Sequence, residues 1–346
     1  MAAKGIYIYG IVPNLYSTDM FRSLENAGVY AIPYQNISAI VSDRNSTHLD
    51  YLDRESLGYL LVHHQETIEE LMGKGFNMIL PMRLGTIVRS KDEVIKILTC
   101  GHDLIIKALK KIEHLTEIDL AVTWADFAGT LKSIANHPDI IAMKDDIQQN
   151  RNILSQIDQV KVGMLVHEKL GEKNKQVGLK ILDSLLSFGI DIKMHEVMND
   201  QMVTNSAFLI NRNNKEKFEQ VIDQIDEEYK GLLNFKLVGP LPCYSFYTIE
   251  VKELNSALVE QAKSELGLKD EISDSEIKKA YLEKAKEFHP DACLDNGDQE
   301  NFNRINKAYH TLLDYSVAAR QSSKEENIFL SKEKVLENLI LVKIKE

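Results

Sequence analysis

Cysteine is scarce in this chain: its 346 residues include three cysteines, Cys100, Cys243 and Cys293, which lie far apart. Isolated cysteines match neither a disulfide framework nor the paired spacing of a zinc site. Glycine-rich phosphate loops are also absent, because Gly10 and Gly85 each stand alone after a predicted strand. We therefore predict no metal, no cofactor and a reducing cytoplasm as the compartment.

Positive charge is in short supply, with 41 lysines and arginines against 52 aspartates and glutamates and a net charge of −11. A phosphate backbone must be met by a basic surface, so we predict no nucleic-acid partner. Apolar runs are short: the first, Ile6 to Val12, ends at Pro13, and no later run could span a bilayer. We predict a soluble protein with no signal peptide and no membrane partner.

Two amphipathic helices flank the tripeptide His289-Pro290-Asp291 near the carboxyl end. Pro290 lacks an amide hydrogen and restricts His289 to extended geometry, so the first helix must end there. On its own, the tripeptide would indicate an ordinary helix-ending turn. Apolar residues at helical spacing predict that both helices pack by one face. These residues are Ile277, Tyr281, Ala285 and Phe288 before the turn, and Phe302, Ile305, Ala308, Tyr309, Leu312 and Leu313 after it.

This arrangement resembles the J domain of DnaJ-type co-chaperones over roughly residues 261 to 320. The resemblance implies a DnaK-type chaperone as partner, with Asp291 as an electrostatic contact. Lys284 departs from the family, which usually has a large apolar residue there. The second helix also balances four lysines against three glutamates, so steering toward an acidic chaperone surface is expected to be modest. The implied chaperone-binding residues are His289, Pro290, Asp291, Lys278, Lys279 and Lys286.

The residues before the helical region alternate between strand and helix signals, which predicts an α+β body. After residue 136 the pattern is a long helix broken near Gly171, two strands, a helix and two strands, of which the last runs from about Tyr244 to Val251. This order is similar to a modified ferredoxin-like lobe. The predicted fold class is thus α+β, with two α/β lobes followed by a small all-helical J domain. The predicted boundaries are 1–135 and 136–252 for the lobes, 261–320 for the J domain and 321–346 for a tail.

Three separated motifs in the body resemble the gas vesicle protein F/L family, in the family's order and over roughly residues 5 to 252. The second motif is Asn205 to Ile210, followed by a charged helix. Leu84 and Cys243 depart from the family, which usually has an aromatic residue and a proline at these positions. The resemblance assigns motif roles to His64, Pro81, Arg83 and Gly85 in the first motif and to Gly239, Pro240, Tyr244 and Phe246 in the third.

Candidate catalytic groups in the body are weak, and we predict that the chain is not an enzyme. His63 and His64 point about 100° apart on a helix, so they lack the spacing of a two-histidine metal site, and we expect His64 to be a core or hydrogen-bonded residue. Arg83 could bind an anion or form a buried ion pair. Ser245 lacks the flanking glycines of a nucleophile elbow. The aromatic residues expected in the core are Tyr244 and Phe246.

The two resemblances predict a gas vesicle assembly factor that is cytoplasmic and associated with gas vesicles. Its body would bind gas vesicle shell subunits and other gas vesicle proteins, and its J domain would recruit a DnaK-type chaperone. Tethering the two activities raises the local concentration of both partners. Two alternatives are a minor structural component of the vesicle wall with a non-stimulating J domain, and a general J-protein co-chaperone with an unrelated client.

The carboxyl tail ends in a β-prone apolar run from Leu339 to Ile344. In a strand, Ile340, Val342 and Ile344 would share one fully apolar face that requires cover. We predict a strand added to a sheet edge of the body, with docking on a shell subunit or a helical conformation as alternatives. Because the family motifs are complete before Lys252, we also predict that residues 1 to 252 fold without the J domain.

Overall fold

The computed structural model describes residues 4–25, 28–45, 54–150, 155–288, 297–323, 327–337 and 339–346. The chain divides into two compact units. The first unit joins Met1–Lys111 to Tyr247–Glu346, and the second is the intervening Ile112–Phe246. The carboxyl-terminal helical region therefore shares a unit with the amino-terminal lobe.

The amino-terminal lobe of the first unit is an antiparallel sheet with accompanying helices. Its elements are β1 (Lys4–Pro13), α1 (Thr18–Glu25), β2 (Val29–Tyr34), β3 (Ile37–Asn45), α2 (Arg54–Gly73), β4 (Leu80–Pro81), β5 (Ile87–Val88) and α3 (Lys91–Ile112). The sheet order is β2-β3-β1-β4, and β5 also pairs with β1. β1 is therefore central. Its residues 5–13 are buried, and the side chains of Tyr7 and Tyr9 are fully buried. β-branched and aromatic residues suit such a strand.

The second unit has the order of elements of a ferredoxin-like fold. Its elements are β6 (Leu115–Trp124), α4 (Phe127–Ala135), α5 (Pro138–Asn150), α6 (Gln156–Leu185), β7 (Gly189–Met194), β8 (Met202–Asn211), α7 (Lys215–Tyr229) and β9 (Leu233–Leu241). The strands form an antiparallel sheet in the order β7-β8-β6-β9. With α6 and α7 they give the β-α-β-β-α-β pattern. Phe208 of β8 and Phe218 of α7 lie in the core of this unit.

Helix α6 is continuous, although the sequence predicted a break near Gly171. The helix begins with a capping box formed by Ser155 and Asp158 and runs to Leu185. Leu170, next to the glycine, is buried against Ile134 and Ile140. This packing offsets the cost of about 1 kcal/mol for glycine in a helix.

The division into units differs from the boundaries expected from the sequence. β6 falls inside the range 1–135, yet it pairs with β8 and β9 in the sheet of the second unit. The strand expected from Tyr244 begins only at Thr248, because the Ser245 backbone N–H donates to the carboxylate of Glu117 (2.8 Å) and not to a neighbouring strand. That strand also belongs to the first unit.

The remaining elements of the first unit are strand β10 and the region that follows it, residues 254–346, which we call the helical module. They are β10 (Thr248–Glu253), α8 (Ser256–Leu266), β11 (Glu271–Ile272), α9 (Asp274–Glu287), α10 (Gly297–Ser323), β12 (Ile328–Phe329), α11 (Lys332–Glu337) and β13 (Ile340–Lys345). The buried core of the module extends beyond residues 261–320 on both sides. Its flanking members are Leu254, Ile328, Leu330, Val335 and Leu341.

The carboxyl tail forms strand β13, which pairs antiparallel with β10. This confirms the predicted strand and excludes the helical alternative. In the part of the chain that the structure describes, β10 and β13 form a sheet of two strands, so the tail does not extend the edge of a larger sheet of the body. The Gln321 side chain holds the backbone of Val342 twice, donating to its carbonyl (2.6 Å) and accepting from its N–H (3.1 Å). Both faces of the strand are covered: Leu341 joins the module core, and Val342 packs against Gly101 of α3.

Candidate functional site

Helix α9 is the element to which the J-domain resemblance assigns chaperone binding. A capping box starts it: the Ser273 hydroxyl accepts from the Glu276 N–H, and the Glu276 carboxylate accepts from the Ser273 N–H. The helix ends at Glu287, with Phe288 as its C-cap. The tripeptide His289, Pro290 and Asp291 follows and lies outside the described residues.

The inner face of α9 packs on α10. The Tyr281 ring stacks on the Tyr309 ring, with centroids 4.2 Å apart and planes inclined by 17°. Offset ring pairs of this kind stabilise a fold by about 1 kcal/mol beyond their buried area. Of the residues assigned to the core from the sequence, the structure buries Ile277, Ile305 and Leu312, packs Tyr281, Phe288 and Tyr309 partly buried against them, and leaves Phe302 half-buried.

Lys284, which stands where the family usually has an apolar residue, connects two helices. Its ammonium group donates to the backbone carbonyl of Glu265, in the last turn of α8. A cation is stabilised at a helix C-terminus by the unsatisfied carbonyls and the helix dipole. The Glu265 carboxylate also accepts from Arg304 of α10 (3.0 Å). The departure from the family thus fastens α8 to its neighbours.

The outer face of α9, which we call the lysine face, consists of Lys278, Lys279 and Lys286. All three side chains are exposed, and at about 100° per residue they fall within roughly 100° of the helix circumference. The glutamates of α9, which lie on the adjacent face, are Glu276, Glu283 and Glu287. Counting lysines against glutamates led us to expect modest steering. Glu283 lies only about 40° from Lys279 around the helix, so modest steering stays our prediction.

In the body, His64 and Gly85 of the first motif converge on the hydroxyl of Tyr7. Tyr7 Oη lies 2.7 Å from His64 Nδ1, and the Gly85 N–H donates to Tyr7 Oη (3.2 Å). Burial lowers the pKa of His64 to about 4 and raises the pKa of Tyr7 to about 12. His64 is therefore neutral at pH 7 and lies in the core as a hydrogen-bonded residue.

Pro81 and Arg83 occupy different environments. Pro81 is buried in β4 and pairs with Gly10 of β1. A Cβ atom added to Gly10 would lie 3.0 Å from the Leu80 carbonyl oxygen. Only glycine permits this approach. The Arg83 side chain is 69% exposed, with Nη1 3.8 Å from Glu250 Oε1. The buried ion pair considered from the sequence is therefore excluded, and an exposed pair of this kind contributes about 1 kcal/mol or less.

The third motif surrounds a buried carboxylate that the sequence analysis missed. Glu117 of β6 accepts hydrogen bonds from the Ser245 N–H (2.8 Å) and from the Ser245 hydroxyl (2.7 Å). Gly239 approaches the same strand so closely that a Cβ atom would lie 2.9 Å from the Glu117 carbonyl oxygen. Of the other motif residues, Pro240 is exposed, Tyr244 is half-buried and Phe246 is buried.

The pKa of Glu117 is raised to about 7, chiefly by burial and also by neighbouring Asp119, while the hydrogen bonds from Ser245 lower it. Ser245 Oγ also lies 3.4 Å from His195 Nε2. This resembles a nucleophile beside a base, but the hydroxyl donates its proton to Glu117 at 2.7 Å. A hydroxyl held in this way is not activated by the histidine. The arrangement fastens the Tyr-Ser-Phe turn to the sheet.

Over the ranges that the structure describes, no group of three or more histidine, cysteine, aspartate or glutamate side chains is placed to hold a metal ion. In the same ranges, no helix combines the length and the apolar character needed to cross a membrane.

Comparison with known families decides the classification of the body. The model of the family described as gas vesicle synthesis protein GvpL/GvpF matches residues 5–248. The chain belongs to this family. A DnaJ domain model matches residues 264–320, so this GvpL/GvpF chain carries a J domain after its body, as the sequence motifs predicted. It is therefore a gas vesicle-related protein with a DnaJ-type co-chaperone domain.

Some individual relatives match the gas vesicle body, and others match the J domain. Gas vesicle protein F from Nostoc sp. is 23% identical over 249 residues, which cover 71% of this GvpL/GvpF chain and 99% of the relative. Gas vesicle protein F1 from Halobacterium salinarum is 20% identical over 252 residues, covering 72% and 95% of the two chains. The helical module is 49% identical over 49 residues to chaperone protein DnaJ from Hydrogenobacter thermophilus, 14% of each chain.

Two solved structures show the fold of the body. The crystal structure of gas vesicle protein GvpF from Anabaena sp. superposes with a TM-score of 0.57 at 22% identity, covering 70% of this chain and 97% of that chain. GvpF from Microcystis aeruginosa gives a TM-score of 0.53 at 21% identity, covering 70% and 98%. The predicted α+β fold class is confirmed.

Proposed function

We propose that this GvpL/GvpF chain is a gas vesicle assembly factor acting in the cytoplasm, where it associates with gas vesicles. Its body binds gas vesicle shell subunits and other gas vesicle proteins, and its J domain recruits a DnaK-type chaperone. The observation that carries the proposal is the presence of both families in one chain. The exposed lysine face of α9 supports it, because this is the surface that the J-domain resemblance assigns to the chaperone.

The arrangement suits the delivery of apolar clients. A shell subunit bound to the body lies close to any chaperone bound to the helical module, which raises the effective concentration of one for the other. The pairing of β10 with β13 joins the module to the amino-terminal lobe in one compact unit. The chaperone is therefore presented at a fixed position on this unit and not on a flexible tether.

We also propose that the chain acts by binding and not by catalysis. The nearest approach to a catalytic group, Ser245, donates its hydroxyl proton to buried Glu117. ATP hydrolysis would be carried out by the chaperone partner.

Asp291→Asn is expected to abolish stimulation of ATP hydrolysis by a DnaK-type chaperone in a single-turnover assay. The substitution removes the negative charge that the J-domain resemblance assigns to the contact with the chaperone. Each increase of about 1.4 kcal/mol in the activation free energy of hydrolysis lowers the rate tenfold. Asp183→Asn, an exposed position on α6, is the matched control and should stimulate like the natural chain. Equal rates with the natural chain and with Asp291→Asn would refute chaperone recruitment.

Purified gas vesicles should lose the chain on washing, because an assembly factor leaves the finished product. The measurement is immunodetection of the chain in washed, intact vesicles, with a shell subunit as the reference. Retention of the chain at a constant ratio to the shell subunit would favour the wall-component alternative and contradict the assembly role.

A further inference from the structure

Leu282 lies in the centre of the lysine face. At about 100° per residue, Lys278 lies on one side of it and Lys279 and Lys286 on the other. The Leu282 side chain is 47% exposed, and among the described residues of α9 it is the one large apolar side chain that the structure leaves exposed. The other large apolar residues of the helix, Ile277 and Tyr281, face the core.

Leu282 is not a member of the module core, so the packing of the module does not require an apolar residue at this position. Lysine and leucine have similar helix propensities, so the helix does not require leucine here. An exposed leucine gains free energy only when another surface removes it from water. Lysine stems around it add apolar area while their ammonium groups stay at the rim.

The charge of the surroundings identifies the class of partner. The whole chain carries a net charge of −11, whereas the lysine face contains no acidic residue. Lysine side chains attract carboxylates, so the surface that matches the lysine face is acidic. Within the proposed function, that protein is the DnaK-type chaperone.

We infer that Leu282 is an apolar anchor for the chaperone: it enters an apolar depression on the partner whose rim carries carboxylates that meet Lys278, Lys279 and Lys286. This inference rests on the proposed function and specifies the chemistry of the chaperone surface. Binding then has two parts with different salt dependence. The lysine contacts are screened by salt, whereas burial of Leu282 persists at high salt.

The test compares Leu282→Ala and Leu282→Lys with Leu336→Ala, a leucine of α11 in the same module that is 52% exposed and lies outside the lysine face. The measured quantity is the concentration of full-length chain that gives half-maximal stimulation of a purified DnaK-type chaperone in single turnover, at about 0.05 M and about 0.5 M salt. Both leucine side chains are exposed, so each of the three variants should fold, which far-ultraviolet circular dichroism checks.

Leu282→Ala should raise the half-maximal concentration about five- to tenfold at both salt concentrations, and Leu336→Ala should leave it unchanged. Leu282→Lys should match Leu282→Ala at high salt, where the added charge is screened. If Leu282→Lys stimulates at lower concentrations than the natural chain, the face works by charge alone and the anchor is refuted. Equal effects of the two alanine variants refute it as well. If the natural chain stimulates no better than Asp291→Asn, the proposed function itself fails.

Discussion

Deletion of residues 331–346 is expected to unfold the helical module and not merely to shorten it. The deleted segment contains Val335 and Leu341, which are buried in the module core. Removal of one buried leucine side chain costs about 2–5 kcal/mol, and a whole domain is stable by about 5–15 kcal/mol. Loss of both side chains and of strand β13 therefore removes most of the free energy of unfolding of the module.

The deletion also exposes β10, the strand that joins the body to the module. Lys252 of β10 and Lys343 of β13 both form ion pairs with Asp314 of α10, at 2.6 Å. The two strands are therefore held together by their backbone hydrogen bonds and by ion pairs to the same helix. The expectation that residues 1–252 fold by themselves stays a prediction, which the loss of this pairing makes harder to meet. A fragment that ends at residue 252 would keep β10 but lose its partner strand, leaving an exposed sheet edge.

Amide hydrogen exchange measures the effect directly: protection of α8, α9 and α10 should fall to the level of an unfolded chain in the deletion. Leu341→Ala should lower the free energy of unfolding by about 3 kcal/mol, whereas Leu336→Ala, at an exposed site, should change it by about 0.5 kcal/mol or less. Full protection of these helices in the deletion variant would show that the tail is dispensable for the module.

Elements that depend on neighbouring residues could be predicted from the sequence. α9 and α10 follow from apolar stripes and from the proline that ends the first helix, and β13 follows from the β-prone run that requires cover. Their partners could not be predicted. β13 pairs with β10 across some ninety positions of sequence, and β6 pairs with β8 over a similar distance, and no local pattern specifies such pairings.

The candidate sites also divide into those that the local sequence reveals and those that depend on the fold. The loop at His289, Pro290 and Asp291 was found because the motif is contiguous. Leu282 was overlooked because counting charges along α9 ignores the face on which each charge lies. Glu117 was missed because its partner, Ser245, is remote in sequence. A usable signal existed: Glu117 and Asp119 are two residues apart in an apolar strand, so both carboxylates point to the same face.

Glu117 is expected to make the second unit less stable as pH rises from about 5 to about 8. Its ordinary pKa is 4.5, and burial beside Asp119 raises it to about 7 in the folded chain. A group whose pKa is raised by folding contributes stability below its unfolded pKa, and this contribution is lost as pH rises through the folded pKa. At about 1.4 kcal/mol per unit, the loss is on the order of 3 kcal/mol.

The charged and titratable groups around Glu117 act in opposite directions. Burial also raises the pKa of Asp119, and this carboxyl group opposes ionisation of Glu117, while the electrostatic effect of nearby His195 lowers the pKa of Asp119. Burial raises the pKa of the Cys243 thiol to about 12, so it stays neutral, and Arg212 lies close enough to lower that pKa slightly. Because the thiol is neutral, the carboxyl pair dominates the change above neutrality.

Glu117→Gln should remove this dependence. Gln is the same size and neutral at every pH, so the variant should match the natural chain near pH 5 and be more stable than it at pH 8 to 9, by up to about 3 kcal/mol. Trp124, the one tryptophan of the chain, lies buried in β6, so its fluorescence during urea denaturation reports on the second unit. Glu113→Gln, at an exposed position just before the same strand, is the control and should follow the natural chain. Parallel pH profiles for the natural chain and Glu117→Gln would contradict the prediction, because they would show that the carboxyl group ionises in the folded state without cost.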